Sequence, residues 1–488
     1  MICKNTKQLG FSTLELMIAL MIMTLAFTAV ILVTFSNQST AVASQTSDEA
    51  IVKAQEQLEK MRALSRQDIT LVQNCDDSTA TKCSGVIDPY YTRKVLVTDI
   101  DTYTKKVTSQ VFWAIGSGPQ KNVELSTIVA DWRSSSGGDT CSPTLTGDWR
   151  NPQLLGDADF GQSNGATDID VLNKKAYATA DASAANKDDF IILDVSDPTK
   201  HGLPILGSVN TGPGLNAVHV AGRFAYVANT STTGQLQIIN IDPNDPNYLK
   251  FTTFKVPGNT GTAVGNSVFY KNSKVYLGLT KTPTGGAPEF AVIDVSNPAS
   301  PVYLGGYKTN TQVNAILING NRAYVGSPQP TPSTPEKENL SILDITNPAA
   351  ITRIGTFTAA DPATQDGSSM YLVGSTLYFG RTVGGVNKVA NHELFALNIT
   401  NPAGIITLGS HDIASTVNAI TVRSNLAFLV TSDPNLGFQI WDISNPVAMT
   451  LYASLNIQQT STGGMDCDGN IMYIAQRSQK ALQIVGPN

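Results

Sequence analysis

Charge is scarce in this chain. Only 15% of its 488 residues are Asp, Glu, Lys or Arg, the net charge is −6 and the isoelectric point lies near 5.3. A basic face for a phosphate backbone is not expected, which excludes nucleic acid as a partner. Histidine is scarcer still: His201, His219, His392 and His411 are the full set, and they share no metal-ligand spacing. There is no Walker loop, nucleophile elbow or paired-cysteine zinc pattern. The acidic stretch 181–189 lacks the residue order of an EF-hand loop. No catalytic residue, no cofactor and no metal centre is therefore expected, and the chain does not read as an enzyme. Cysteine is limited to Cys3, Cys75, Cys83, Cys141 and Cys467. Gly and Pro number 39 and 24, yet neither occurs between residues 11 and 68. That gap predicts one helix about 80 Å long, at about 1.5 Å per residue.

Residues 16–35 contain no charged residue, no Gly and no Pro. A helix of that length spans the roughly 30 Å hydrocarbon core of a bilayer. Lys4 and Lys7 precede it, so the positive-inside rule leaves the N-terminus in the cytoplasm and the following chain outside. A plain signal anchor satisfies the same hydropathy. Farther along, Ile51, Leu58, Met61 and Leu64 form an apolar stripe suited to packing on a sheet.

The segment Lys7-Gln8-Leu9-Gly10-Phe11-Ser12-Thr13-Leu14-Glu15 separates the two readings. It resembles the class III signal of type IV prepilins, a short basic leader ending in Gly, then an aromatic residue, then Glu at the fifth mature position. The resemblance implies cleavage after Gly10 by prepilin peptidase, N-methylation of Phe11, and a filament-assembly role for Glu15. A carboxylate on an apolar helix costs about 2.5–3.5 kcal/mol at the bilayer centre, so its presence calls for a partner. In the family that partner is the free amine of a neighbouring subunit. The helix-breaking Pro of many pilins is missing here.

Behind the helix, Cys75 and Cys83 enclose a polar stretch that reads as a disulfide-closed loop. Alternating strands are expected at 93–99 and 106–113, with a third at 123–132. Their order resembles the sheet of minor pilins and pseudopilins. The expected organisation is a leader over 1–10 and a pilin-like α+β domain over 11–133. Within that domain, 11–36 is the transmembrane half of the helix, 37–68 its amphipathic half and 69–133 an antiparallel sheet. A linker follows over 134–150, where Ser134-Ser135-Ser136-Gly137-Gly138 is flexible by composition.

The remaining chain repeats. Tyr177, Tyr226, Tyr276, Tyr324, Tyr378, Phe428 and Tyr473 recur at intervals of 45 to 54 residues. Most are followed by a strand and a turn of the type Val292-Ile293-Asp294-Val295-Ser296-Asn297-Pro298. Four short strands per unit and seven units predict an all-β, seven-bladed propeller over 151–488, and the pattern resembles bacterial surface repeats with this signature. The repeat phase makes residues 153–156 the last strand of the last blade, removing the ring's open edge. Cys141 then comes near Cys467, and a Cys141–Cys467 bond is expected beside Cys75–Cys83. A buried free Cys467 is the alternative, since its counterparts Val171, Val220, Ile318 and Val422 are apolar.

Ten residues before each aromatic lies Thr167, Asn216, Asn266, Asn314, Ser368, Asn418 or Gly463. This ring either caps backbone groups or binds a ligand at the channel mouth. Asp466, Asp170 and His219 fall in adjacent blades and form a speculative ligand or cation site. The resulting expectation is a minor type IV pilin that displays a propeller for adhesion or recognition at or near the pilus tip. Its partners are other pilin subunits, prepilin peptidase, the pilus assembly machinery and an unknown surface protein or glycan. It resides in the inner membrane before assembly and in the extracellular pilus afterwards. A type II secretion pseudopilin, and a propeller enzyme carried on a pilus, are the alternatives.

Overall fold

The computed structural model describes residues 13–67, 72–78, 83, 90–99, 104–115, 118–130, 140–142, 144–161, 165–181, 187–283, 285–328, 338–359, 365–383, 392–457, 462–478 and 480–488. The chain divides into two compact units, 1–132 and 133–488.

In the first unit a single helix runs over Thr13–Gln67, followed by antiparallel strands Cys75–Asp76, Tyr91–Asp99, Thr104–Trp113 and Lys121–Ala130, paired in sequence order. The first half of the helix leaves its large apolar side chains open, Leu25 at 71% and Phe35 at 66% exposure among them. The second half is buried along Ala50, Ala54, Leu58 and Met61, facing Tyr91, Val95, Val107, Val111, Trp113 and Val129. The inner face therefore differs from the expected stripe: Ala50 and Ala54 occupy it, and Ile51 stays half-exposed. Small side chains let the helix axis approach the sheet closely, which hydropathy alone does not register. Cys75 and Cys83 are bonded, their Cα atoms 4.9 Å apart.

The second unit is all β. Six consecutive four-stranded antiparallel sheets are followed by a seventh that combines Thr462–Gly469, Ile471–Gln476 and Leu482–Gly486 with Gln153–Ala158 from the start of the unit. The first strands of neighbouring sheets contact one another in cyclic order, the seventh touching the first, as the inner strands of a propeller do. The seven recurring aromatics occupy second strands and are all buried. The closing strand pairs Ala158 with Leu482, Gly156 with Ile484 and Gln153 with Gly486.

The repeat signature has a mechanical explanation. The Asp that ends the third strand turns its carboxylate back onto an N–H two residues ahead: Asp194 to Ser196, Asp294 to Ser296, Asp344 to Thr346 and Asp442 to Ser444. Hydrogen bonds from these Ser and Thr residues hold all four carboxyls below the usual range. Asn347, Asn401 and Asn445 then cap a one-turn 3-10 helix whose first residue is Pro, where a missing N–H costs nothing.

The following strand carries a Leu-Gly or Ile-Gly pair, and its Gly meets the proline turn of the next blade. A side chain on Gly305, Gly355 or Gly409 would overlap the carbonyl of Pro348, Pro402 or Pro446 respectively. Gly156 makes the same contact across the closure, where a Cβ would lie 2.6 Å from the Pro198 and Lys200 carbonyls. Blade 2 has Thr252 and Thr253 here, and a cavity of about 370 Å³ opens between Phe251 and Pro298. Gly355→Ala should therefore cost about 1–3 kcal/mol, because backbone rather than a mobile side chain must yield. Urea unfolding followed by tryptophan fluorescence would measure it, and an unchanged midpoint would refute the contact's importance.

Candidate functional site

The inner strands line a central channel with a cavity at each mouth. At one mouth, the starts of these strands bring Thr167, Asn216, Asn266, Asn314, Ser368, Asn418 and Gly463 around a cavity of about 550 Å³. Each side chain reaches sideways as well as lining the cavity. Thr167 Oγ1 donates to Leu215 O at 2.7 Å, and Asn216 Nδ2 to Gly265 O at 2.7 Å. Asn266 Nδ2 donates to Val313 O at 2.8 Å, Asn314 Nδ2 to Gly367 O at 3.2 Å, and Ser368 Oγ to Val417 O at 2.7 Å. Five blades are thus tied to the next through a side chain and a backbone carbonyl, and Ser267 and Ser369 add a second donor to the Val313 and Val417 carbonyls. Asn418 breaks the pattern and bonds Ser432 Oγ at 2.9 Å.

The proposed cation triad does not assemble. Asp466 Oδ2 accepts from Val171 N at 2.6 Å, and Asp170 Oδ2 accepts from Val220 N at 2.7 Å. Both carboxylates therefore fasten an inner strand to its neighbour, and the ligand atoms of Asp170, His219 and Asp466 do not converge within 4.8 Å. His219 packs on Phe269, ring centres 4.8 Å apart, and its buried Nε2 has no hydrogen-bond partner among the described residues. The residue keeps some exposure, but burial of the imidazole pushes its pKa down to about 4, so it stays neutral at physiological pH. The separation has a simple cause. Adjacent inner strands splay around a channel, and short acidic side chains reach sideways to backbone before they reach one another.

The opposite mouth has a different character. Phe269, Leu317, Met370, Tyr371, Arg423 and Met465 line a cavity of about 540 Å³. Arg423 donates to Tyr371 Oη and lies over its ring, with its other nitrogen 3.1 Å from Cys467 Sγ. Cys467 is bonded to Cys141, Cα to Cα 5.1 Å, where Thr140–Cys141 runs parallel to the end of the inner strand of blade 7. The chain entering the unit therefore does so at this mouth. Gly10 and Phe11 lie outside the described residues, while Glu15 falls within the helix.

One repeated position escaped the sequence reading. The residue before the third strand is Asp189, Gln235, Glu289, Asn339 or Glu393 in the first five blades, and all five are fully buried. Each receives the backbone N–H of the turn that carries the chain to the next blade. Asp189 takes Thr211 N at 2.7 Å, Gln235 takes Val256 N at 3.0 Å, Glu289 takes Thr309 N at 3.0 Å, Asn339 takes Ala359 N at 3.0 Å and Glu393 takes Ile413 N at 2.9 Å. The available signal was a polar residue directly before Phe or Leu in five successive repeats. Burial pushes Asp189 up to about 6 and Glu393 up to about 7. Burial also acts on Glu289, but bonds from Lys308 and Thr282 outweigh it and hold that carboxyl below the usual range.

The LVIVD repeat matches this chain at residues 167–211, 286–309 and 417–457. No curated protein sequence matches it. Among solved structures, a chain of the mitotic checkpoint complex is 13% identical, with a TM-score of 0.45 and coverage of 73% of this chain and 92% of its own. A quinonprotein alcohol dehydrogenase-like protein from Bacteroides thetaiotaomicron VPI-5482 is 12% identical, with a TM-score of 0.41 and coverage of 76% and 89%. The second unit is thus a propeller-like ring of four-stranded sheets that contains LVIVD repeats.

Proposed function

We propose that this chain is a low-abundance pilin-like subunit that displays its propeller outside the cell as a recognition module. The observation that carries the reading is Gly10-Phe11 with Glu15, ahead of a helix whose apolar first half is exposed and whose second half is covered by a sheet. An exposed run of that length needs lipid or other helices around it. Two disulfides fit an oxidising compartment, the side to which the positive-inside rule assigns the chain after the helix. Low abundance follows from bulk. A compact body spanning 151–488 has a radius of gyration of about 20 Å, too large for copies at every position of a closely stacked helical filament. Recognition is favoured over catalysis because, among the described residues, neither channel mouth shows a nucleophile paired with a base, while both offer varied lining groups.

Intact-mass measurement of the membrane fraction tests the display reading. The mature chain should begin at methylated Phe11, and Gly10→Ala should leave the precursor uncut. Glu15→Ala should permit cutting but impair incorporation into filaments. Immunogold label against residues 151–488 should be sparse or terminal; dense label along the whole shaft would overturn low abundance.

A further inference from the structure

We infer that the channel mouth ringed by Thr167, Asn216, Asn266, Asn314, Ser368 and Asn418 binds a protonated primary amine on a small polar ligand, with Asp168 as the counter-charge. The blade-to-blade bonds determine what this mouth has left to offer. Ser368 gives its single hydroxyl proton to a carbonyl, and the Thr167 hydroxyl is shared between the Leu215 carbonyl and Thr179 Oγ1, so neither has a proton left to donate. The amide nitrogens of Asn216 and Asn266 are likewise turned onto carbonyls, which sets the flip of each group. Their Oδ1 atoms accept from no protein group among the described residues. The mouth is therefore rich in acceptors.

Asp168 adds a carboxyl to that ring; burial pushes it up to about 7 against bonds from the Val218 and Ile169 N–H groups, so a bound cation would favour its charged form. One of its oxygens accepts from Val218 N at 3.0 Å, and no cation pairs with the carboxylate among the described residues. Arg477, the other charged residue lining this mouth, is engaged with Asp181 at 3.3 Å. Blade 7 presents Gly463 and Gly464 opposite, and a side chain on Gly464 would overlap Asp168 Oδ1. The backbone of Gly464 therefore packs directly against the oxygen that Val218 does not hold, an approach only glycine allows. A partly buried carboxylate without a counter-ion is costly, and an incoming cation would relieve that cost.

The geometry favours ammonium over the other cations. Calcium needs oxygens converging at about 2.3–2.6 Å, and no trio of carboxylate, His or Cys ligands comes together at this mouth among the described residues. A guanidinium is best met by a carboxylate with both oxygens free, whereas Asp168 has one already committed. Three single donors on a point charge suit one carboxylate oxygen and scattered amide oxygens. Thr140–Cys141 lies at the other mouth, beside Asp468–Gly469.

This assignment rests on the recognition role proposed above only in taking the propeller to be a binding module. Calorimetry on the full-length protein in detergent micelles tests it without any filament, so a failure of display and a failure of binding remain distinguishable. Glucosamine and acetyl-lysine amide are titrated against their neutral counterparts, N-acetylglucosamine and acetyl-norleucine amide. At least one amine should bind about tenfold more tightly than its counterpart, and the arm that does so identifies a sugar or a peptide source. Asp168→Asn keeps an oxygen for Val218 N and should abolish the preference while the protein still melts cooperatively. Equal binding of amine and neutral analogue, a preference that survives in Asp168→Asn, calcium binding in place of amine, or no binding at millimolar concentrations would each overturn the assignment.

Discussion

A chain lacking Gln153–Ala158 is expected to be recovered as aggregate, with no cooperative unfolding of the second unit. The strand pairs with Leu482–Gly486 along its length, and its removal exposes the unpaired N–H and C=O groups of the last blade. It also contributes to packing between blades 7 and 1, through Leu155 and Ala158 in the cluster around Ile169 and Tyr473. Asp157 receives His201 Nδ1 at 3.0 Å and Lys480 Nζ at 3.1 Å, linking the same two blades from the rim. Size-exclusion chromatography in detergent reads the outcome, and a monodisperse, cooperatively melting deletion would contradict it.

Cys467→Ala should be milder than this deletion. The Cys141–Cys467 bond closes a separation of 326 residues, and the chain-entropy estimate for so long a loop is about 6 kcal/mol. The segment between the disulfide and the closing strand stays pinned by other contacts. Trp149 packs edge-on against Phe428 at 4.8 Å, its Nε1 bonds Asn470 Oδ1, and Asp148 exchanges backbone bonds with Asn488. Loss of the bond should lower the melting temperature while leaving the ring closed.

Glu393→Leu is expected to destabilise the second unit by about 3–5 kcal/mol, and Glu393→Gln to preserve or raise its stability above neutral pH. Glu393 accepts from Ile413 N at 2.9 Å, Ala414 N at 3.2 Å and Gln365 Nε2 at 2.9 Å. Leucine leaves those donors buried without an acceptor, at about 1–3 kcal/mol each before relaxation. Glutamine keeps a carbonyl oxygen there without the charge, and Gln235 does this at the equivalent position of blade 2.

The pH dependence gives a sharper reading. Burial, aided by the Asp412 charge, raises Glu393 to about 7, so the folded carboxyl binds its proton more tightly than the unfolded one. Its contribution is fully present below the unfolded pKa of about 4.5 and is lost as pH rises through about 7, amounting to at most about 3 kcal/mol. The advantage of Glu393→Gln over the natural chain should therefore grow between pH 5 and pH 8. An advantage that is flat across that window would show that the carboxyl is not perturbed.

Local chemistry determined much that was legible in this sequence. Twenty residues without charge, Gly or Pro read as a membrane-spanning helix because their length and polarity match a bilayer core. Tyr177 and its six counterparts announced the repeat because each must be buried once per blade, and the Asp-x-Ser-Asn-Pro turns were readable because their bonds close within a few residues. The shift in phase placed residues 153–156 in the last blade, since strand count and period alone require it. Tertiary structure decided whatever depends on which backbone lies across a blade boundary. Asp170 and Asp466 looked like ligands, but the N–H groups of Val220 and Val171 came within reach first. Glu393 carried no meaning in the sequence, and its role appears only where the turn after the fourth strand covers it. Nothing local marks Gly355, whose meaning is set by the carbonyl of Pro402 standing where its side chain would be. These meanings are set by neighbours 20 to 50 residues away or across the closure of the ring. Sequence spacing records how often blades recur, whereas only the folded ring brings the backbone of one blade against the side chains of the next.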